Sequence, residues 1–314
     1  MAGVETTAPR VGLKAAAEFR RPARSLWKDA WHQFRRHRLA MAGLVTLVTL
    51  TLVTLIGPFI WPIPFDKVDY SNQLLSPSAV HPFGTDDLGH DLLARALWGG
   101  RVSIAVGVTS VLIAITLGVF VGAISGFFGG QLDNLLMRIT DMFLSLPSLP
   151  LLLLTIFLFR EPLRALFGPE VGIFLLIVSV IGILNWMPTA RLVRASFLSL
   201  KQREFVEAAR TIGAENRRII VTHILPNTMS PVLVSATIGV GGAIITESAL
   251  SFLGLGFPPD VPTWGRLLYD AQNFIDIAWY WATFPGLLIF LTVLAINYMG
   301  DGLRDALDPR RTGH

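Results

Sequence analysis

REFVEAARTIGAENRRIIVTHILPN, residues Arg203 to Asn227, is a polar stretch between two hydrophobic ones, and its reading decides how the rest of the chain is arranged. Arg203 to Ile212 has helix-forming composition, and Phe205, Ala208, Ala209 and Ile212 recur at spacings that share one helical face. Gly213 can take a positive φ and end that helix. Helical periodicity resumes at Ala214, runs to Leu225 and is expected to stop at Pro226. The expectation is two short helices joined at a glycine, exposed between membrane spans, with Glu207 near the bend. A loop of that build is shaped for another protein to grip.

The flanking composition supports the setting. Of 314 residues, 52% are hydrophobic and 15% charged, and the mean hydropathy is +0.57. Soluble domains carry about 25% charged residues, so a water-surrounded globule is not expected. The absence of cysteine excludes a disulfide framework and thiolate chemistry. A net charge of +4 and a pI near 9.8 raise the question of a nucleic-acid partner, and the placement of the charges answers it.

Residues 1–24 are polar, rich in Ala, Pro and Arg and without a packing period, which predicts a mobile tail; no apolar core with a cleavage site follows to make them a secretory signal. Ser25 to Arg38 puts Trp27, Trp31 and Phe34 on one face among cations. This predicts a helix lying at the membrane surface, or equally a solvated helix packed on another subunit. Leu39 to Trp61 is apolar and uncharged for long enough to cross a hydrocarbon layer of roughly 30 Å. After a polar, proline-broken segment, further spans are expected at about Val102–Phe127, Leu135–Phe159, Val171–Thr189, Ser230–Leu255 and Phe284–Tyr298. Six spans put both termini on one side.

Basic residues choose that side. Nine Lys or Arg precede Leu39, Arg138 follows, seven lie from Arg191 to Arg218 and three from Arg304 onward, all on the side of the termini. Lys67, Arg95, Arg101, Arg160, Arg164 and Arg266 lie opposite. The positive-inside rule therefore predicts that both termini and the Arg203–Asn227 loop are cytoplasmic. Trp61, Trp98, Trp264, Trp279 and Trp281 are expected at the outer headgroup level. The basic excess reads as orientation, so no nucleic-acid partner is expected. Gly118, Gly122 and Gly126 recur every four residues, a stripe that admits a close helix. Pro147, Pro150 and Pro188 interrupt spans, which suits a water-lined path or a packed bundle core equally.

Several stretches together resemble a known family. Glu207-Ala208-Ala209, then Gly213, then Leu225-Pro226 resemble the EAA loop of ABC-transporter permease subunits. HPFGTDDLGHDLLARALWGGRVS (His81–Ser103), GFFGGQLDNLLMRITDMFLSLPSLP from Gly126, ESALSFLGLGFPPDVPTWGRLL (Glu247–Leu268) and NYMGDGLRDALDPR (Asn297–Arg310) narrow the match. Together they look like the second permease subunit of dipeptide, oligopeptide and nickel importers, over about Trp27 to Arg311. The general EAA pattern is apolar where His223 stands, and HILPN is similar to the peptide subfamily. The family usually reads Gly-Arg-Asp where this chain has Gly89-His90-Asp91, so no role of that arginine is carried over to His90.

The resemblance implies an all-α membrane protein with six transmembrane helices in the type I ABC importer permease fold, with a cytoplasmic coupling helix and an N-terminal amphipathic segment. It implies a division into a tail (1–24), amphipathic helix and first span (25–61), extracytoplasmic segment (62–97), permease domain (98–303) containing the 203–227 loop, and a cytoplasmic tail (304–314). The implied partners are a second permease in a heterodimer, two ABC ATPase subunits, an extracytoplasmic solute-binding protein and membrane lipid. ATP and Mg would be bound by the ATPases, because no GxxxxGK[ST] phosphate loop occurs here and no cofactor is expected on this chain. The implied setting is the inner or plasma membrane of a bacterial or archaeal cell. ATPase coupling would fall to Glu207, Ala208, Ala209, Arg210, Gly213 and Pro226.

Asp141 and Glu247 lie in apolar spans, where a mid-depth acid costs roughly 2.5–3.5 kcal/mol. Asp141 either pairs with Arg138 three residues earlier or belongs to the pathway. Glu247 has no partner within four residues, so it either lines or gates the path or makes a structural hydrogen bond. His81, Asp86, Asp87, His90 and Asp91 are suitable metal ligands by type, but a turn capping the second span is the expected arrangement, with no metal site. A self-contained secondary transporter or channel would explain spans and intramembrane acid equally well, but not the EAA spacing. A membrane enzyme has no HExxH, GxSxG or paired carboxylates to rest on.

Overall fold

The computed structural model describes residues 26–307. The tail assigned to 1–24, the end of the C-terminal tail and the side chain of Trp27 lie outside that description. All regular structure among the described residues is helical. Four helices are long and apolar enough to cross a membrane: α2 (Arg38–Ile60), α3 (Leu92–Phe128), the run Asn216–Phe252 and α11 (Trp279–Leu307). Two bent pairs raise the number to six if each counts as one span.

Those pairs correct the expected third and fourth spans. α4 (Gly130–Ser145) and α5 (Ser148–Phe167) meet at 88°. Pro147 forces the break, because it has no N–H to give and holds the preceding Leu146 in extended conformation. The bend leaves an amphipathic α4 and a more apolar α5, a broken span or a re-entrant loop rather than one straight crossing. α6 (Pro169–Ile183) and α7 (Met187–Leu200) bend by 42° around Leu184–Trp186, with Pro188 in the first turn of α7.

Helix α3 begins at Leu92, not near Val102, inside the segment assigned to 62–97. Asp91 is the reason: its carboxylate accepts the Ala94 N–H at 2.7 Å and caps the helix. At the C-terminus, α11 continues through Arg304 to Leu307, so the expected tail begins as helix. α1 (Leu26–Arg36) packs on that end: Ala30 and Phe34 are buried with Ala40 and Ala306, while Trp31 is half exposed and stacks on Phe34.

The glycine stripe does what its spacing implies. A Cβ at Gly118 would lie 2.6 Å from the Thr189 Cβ, at Gly122 2.4 Å from the Ala190 carbonyl oxygen, and at Gly126 2.6 Å from the Phe197 Cβ. The backbones of α3 and α7 are therefore in near contact. Elsewhere Val106, Ile156, Ile177, Ile181 and Leu250 interlock α3, α5, α6 and α9 (Leu225–Phe252) into one core.

Two expected interface tryptophans are core residues. Trp264, which opens α10 (Trp264–Ala271), is fully buried and donates from Nε1 to the Ala96 carbonyl at 2.9 Å. Trp281 is buried in the cluster with Leu92, Leu267 and Tyr280. Trp279, by contrast, is exposed.

Candidate functional site

The 203–227 stretch folds as a lever with one face anchored and the other bare. α8 (Glu204–Thr211) buries Val206 and Ala209 beside Val193 and Phe197 of α7 and Ile219 and Ile224 beyond the bend. Gly213 has φ +81° and open space around it, and the helix ends in a Schellman pair: Gly213 N–H donates to Arg210 O at 2.9 Å and Ala214 N–H to Ala209 O at 3.0 Å. That cap fixes the angle at which the chain leaves α8.

The second half differs from expectation. It is one α-turn at Asn216–Arg218, then a π-helical stretch at Ile219–Ile224, which feeds directly into α9. Pro226 stands in the first turn of α9 and does not stop the helix. The wider π turn, closed by Leu225 N–H to Ile220 O, gives the proline ring room that an α-turn would deny it. The second half of the stretch is therefore continuous with a span through α9.

Phe205, Ala208, Ala209 and Ile212, which share one face by spacing, divide between core and surface. Ala209 is core, but Phe205 is 42% and Ile212 86% exposed, and Ala208 is exposed with them. Glu207, Arg210, Gly213 and Pro226 are exposed as well. Among the described residues Glu207 makes no ion pair, with Arg203, Arg210 or any other cation. Its place in the first turn of α8 suits the positive end of the helix dipole. A bulky apolar pair framed by an unpaired acid and arginines is incomplete as a water-facing surface.

The two intramembrane acids separate. Asp141 is exposed on α4 and its carboxylate pairs with Arg191 of α7, not with Arg138. Glu247 is wholly buried in α9, and three hydroxyls donate to it: Ser251 at 2.7 Å, Thr263 at 2.9 Å and Ser103 at 3.3 Å. Ser251 is thus a neutral partner four residues away, where the local sequence offers no charged one. The Ser103 oxygen in turn accepts the Trp264 N–H at 3.2 Å. This cage ties α3, α9 and α10 together around one carboxyl.

One further group carried no sequence signal. Asp133 of α4 is gripped by Arg194 of α7 and by the Ser125 hydroxyl of α3, while Lys201 donates to the Gly126 carbonyl at 2.9 Å. At the other end of α3, His81 pairs with Asp91 at 2.8 Å and His90 with Asp86 at 2.7 Å. These are separate pairs, and no cluster of three metal-ligating side chains occurs among the described residues. Arg95 joins Asp86 at 2.7 Å and the Pro259 carbonyl at 3.0 Å, and Arg266 holds Asp270 at 2.7 Å. Burial alone would raise the Asp86 carboxyl, but His90 hydrogen bonds and the Arg95 charge hold it below the usual carboxylate value. Burial does push Asp270 up, against the pull of Arg266. His90, Arg95, Pro259, Arg266 and Asp270 border a cavity of about 740 Å³.

Residues 114–313 match the family described as binding-protein-dependent transport system inner membrane component, and residues 25–77 match the N-terminal TM domain of oligopeptide transport permease C. The chain is 40% identical over 298 residues to the dipeptide transport system permease protein DppC of Bacillus subtilis (strain 168), covering 95% of this chain and 90% of that one. It is 38% identical over 309 residues to the oligopeptide transport system permease protein OppC of Haemophilus influenzae, covering 98% and 94%. It is 40% identical over 293 residues to the glutathione transport system permease protein GsiD of Escherichia coli O6:H1, covering 92% of each. In shape it is similar to a chain of the MetNI methionine ABC transporter in an inward-facing conformation, with TM-score 0.54 and 19% identity over 69% of this chain and 96% of that one. That last likeness concerns fold alone.

Proposed function

We infer the function of this chain from its family: it belongs to the binding-protein-dependent transport system inner membrane components. It is the permease subunit of an ATP-driven ABC importer for short peptides, working beside a second permease. Two ATPase subunits bind ATP and Mg and do the hydrolysis; the chain itself catalyses nothing. A solute-binding protein delivers cargo to the end that carries the Asp86–Arg95 network. The chain sits in an inner or plasma membrane with both termini and the 203–227 lever in the cytoplasm, as its basic residues favour.

One observation carries this reading. Phe205, Ala208 and Ile212 are bare on α8 while Val206 and Ala209 anchor the same helix to the bundle. A surface apolar on its free side and continuous with a span is a coupling element: closure of two ATPases pulls the lever, and α9 tilts with it. The peptide class is supported by the relatives that carry dipeptides, oligopeptides and glutathione in their names.

The test is Glu207→Arg in the whole complex. The variant is expected to insert and to keep its second permease, yet to lose ATP-driven uptake. Unchanged uptake would remove the coupling role. Transport by this chain alone in liposomes would point instead to a self-contained transporter or channel.

A further inference from the structure

Midway along the bundle is a notch that the packing does not need. It occupies about 360 Å³ between α3, the α6–α7 break and α9. Its polar side chains are Ser110, Asn185, Thr189, Ser235 and Thr246, and Gly239 and Gly242 line it on α9. Ser110 stands halfway along α3 (Leu92–Phe128), so the notch lies far from both bundle ends.

Three features set it apart from a packing defect. The Ser110 hydroxyl is buried and has no hydrogen-bond partner. An unsatisfied buried hydroxyl costs about 1–3 kcal/mol, so an oxygen aimed into a void calls for a visiting partner. Asn185 is exposed in the gap between α6 and α7; its Nδ2 is used on the Ile181 carbonyl at 2.7 Å, which leaves its amide oxygen to accept. At Gly242 a Cβ would meet nothing within 4 Å, so this glycine serves no helix contact within the chain and keeps a wall open.

The lining also tells what would fit. No ionisable side chain borders the notch. Hydroxyls and a carboxamide can pair with amide N–H and C=O groups of either polarity but offer no charge to select a side chain. The volume is at the low end of the roughly 300–1,000 Å³ of small-molecule sites. Breaks in helices at membrane depth are tolerated where they border protein or a water-filled cavity, and this one borders the notch.

We propose that this notch is a solute contact site within the membrane path, taking the uncharged amide backbone of a short peptide through Ser110, Asn185, Ser235 and Thr246. It rests on the peptide-import reading above and adds where the cargo is touched and by what chemistry. Selection by side-chain charge is then left to other parts of the assembly, and the open wall at Gly242 is where the cargo crosses between the two permeases.

The chain has no cysteine, so a single introduced thiol reports cleanly. The complete complex, with its second permease, ATPases and binding protein, is reconstituted in liposomes carrying Gly242→Cys or Ser235→Cys. Modification by the water-soluble reagent MTSET is read by the mass of this chain, without nucleotide and with ATP–vanadate, and with or without tri-alanine. Modification in at least one state, slowed several-fold by tri-alanine, is expected. In parallel, Gly242→Leu is expected to lower tri-alanine taken up per ATP hydrolysed by about tenfold, as a packed side chain in a filled site would. Gly286→Ala, at a roomy position on α11, serves as the control that keeps native uptake.

No modification in either nucleotide state, modification that tri-alanine leaves unchanged, or native uptake by Gly242→Leu would each overturn the proposal. A native complex that hydrolyses ATP but takes up no tri-alanine would instead strike the peptide-import reading. In that case modification of the Gly242→Cys chain in neither state is still what removes the notch.

Discussion

Asp133 and Arg194, 61 residues apart, form a two-pronged ion pair between α4 and α7: Nε donates to Oδ1 at 2.6 Å and an Nη to Oδ2 at 2.7 Å. With Ser125 of α3 on the same carboxylate, three helices meet on one acid, and Arg194 stands three residues before the lever's anchor at Phe197 on α7. Planar two-bond geometry makes the pair specific for arginine. Arg194 is about one-third exposed, so solvent screens part of its charge. Asp133→Asn and Arg194→Lys are each expected to destabilise by about 1–3 kcal/mol. A double-mutant cycle on thermal unfolding in detergent should return a coupling of at least about 0.5 kcal/mol. Additive losses would show that the two side chains act separately.

Glu247 is predicted to hold structure rather than move solute. Its carboxyl touches three hydroxyls and borders none of the cavities described above. Glu247→Gln keeps an acceptor and the shape, so uptake should remain within about twofold of native. Glu247→Leu strands the hydroxyls of Ser103, Ser251 and Thr263, at about 1–3 kcal/mol for each group left unpaired. It should lower the unfolding temperature and the yield. A strong uptake defect in the Gln variant at full expression would instead give this acid a place in the pathway.

The α3–α7 contact is predicted to be intolerant of side chains. At Gly122 an added Cβ would fall 2.4 Å from the Ala190 carbonyl oxygen, a backbone atom that cannot swing away. Gly122→Ala should cost about 1–3 kcal/mol, and Gly122→Leu should abolish assembly. Gly242→Ala, where the added carbon meets nothing, is the paired comparison for stability. Equal unfolding temperatures for the two alanine variants would contradict the close approach.

Part of the acid sensitivity should reside in Asp86. His90 on its own turn, Arg95 of α3 and Asp270 of α10 surround it, and the first two hold its carboxyl below the ordinary value of 3.8. A carboxyl depressed in the folded state stabilises above its unfolded pKa, and that contribution is lost as pH falls through the folded one. Asp270 is shifted the other way, so protonating it favours the folded form as pH falls from neutral. Native protein should therefore lose stability mainly below about pH 4. Asp86→Asn should be less stable at neutral pH and lose less stability than native across the same acid range, the depressed Asp133 accounting for part of what remains. An unchanged acid profile in that variant would place the sensitivity elsewhere.

The spans and the lever were legible because each rests on local pattern: apolar length, glycine every fourth residue, a glycine able to take φ +81°. What failed to show depended on distance or on backbone detail. The partner of Asp141 is Arg191, fifty residues away, while the local candidate Arg138 is unused. Trp264 and Trp281 look like headgroup anchors by position, yet the fold draws them inside. Pro226 reads as a stop by its missing N–H, and only the preceding π turn lets the helix pass. Apolar periodicity on α8 marks a surface to be covered without saying by which chain, and Phe205 and Ile212 stay bare on this one.

That uncovered surface gives the last prediction. Ile212, at 86% exposure, touches little of its own chain, so Ile212→Asp should leave unfolding unchanged within about 0.5 kcal/mol. In the assembled complex the same change places a charge in an apolar contact, which should weaken retention of the ATPases and reduce uptake with it. Val206→Asp, on the opposite and buried face, is expected to fail earlier, by losing the fold of the lever itself. Copurification separates the two: an Ile212→Asp chain that keeps its ATPases and its uptake would mean the bare face of α8 is not where force enters. A Val206→Asp chain as stable as native would mean the lever is not anchored to the bundle, and no pull on it could reach α9.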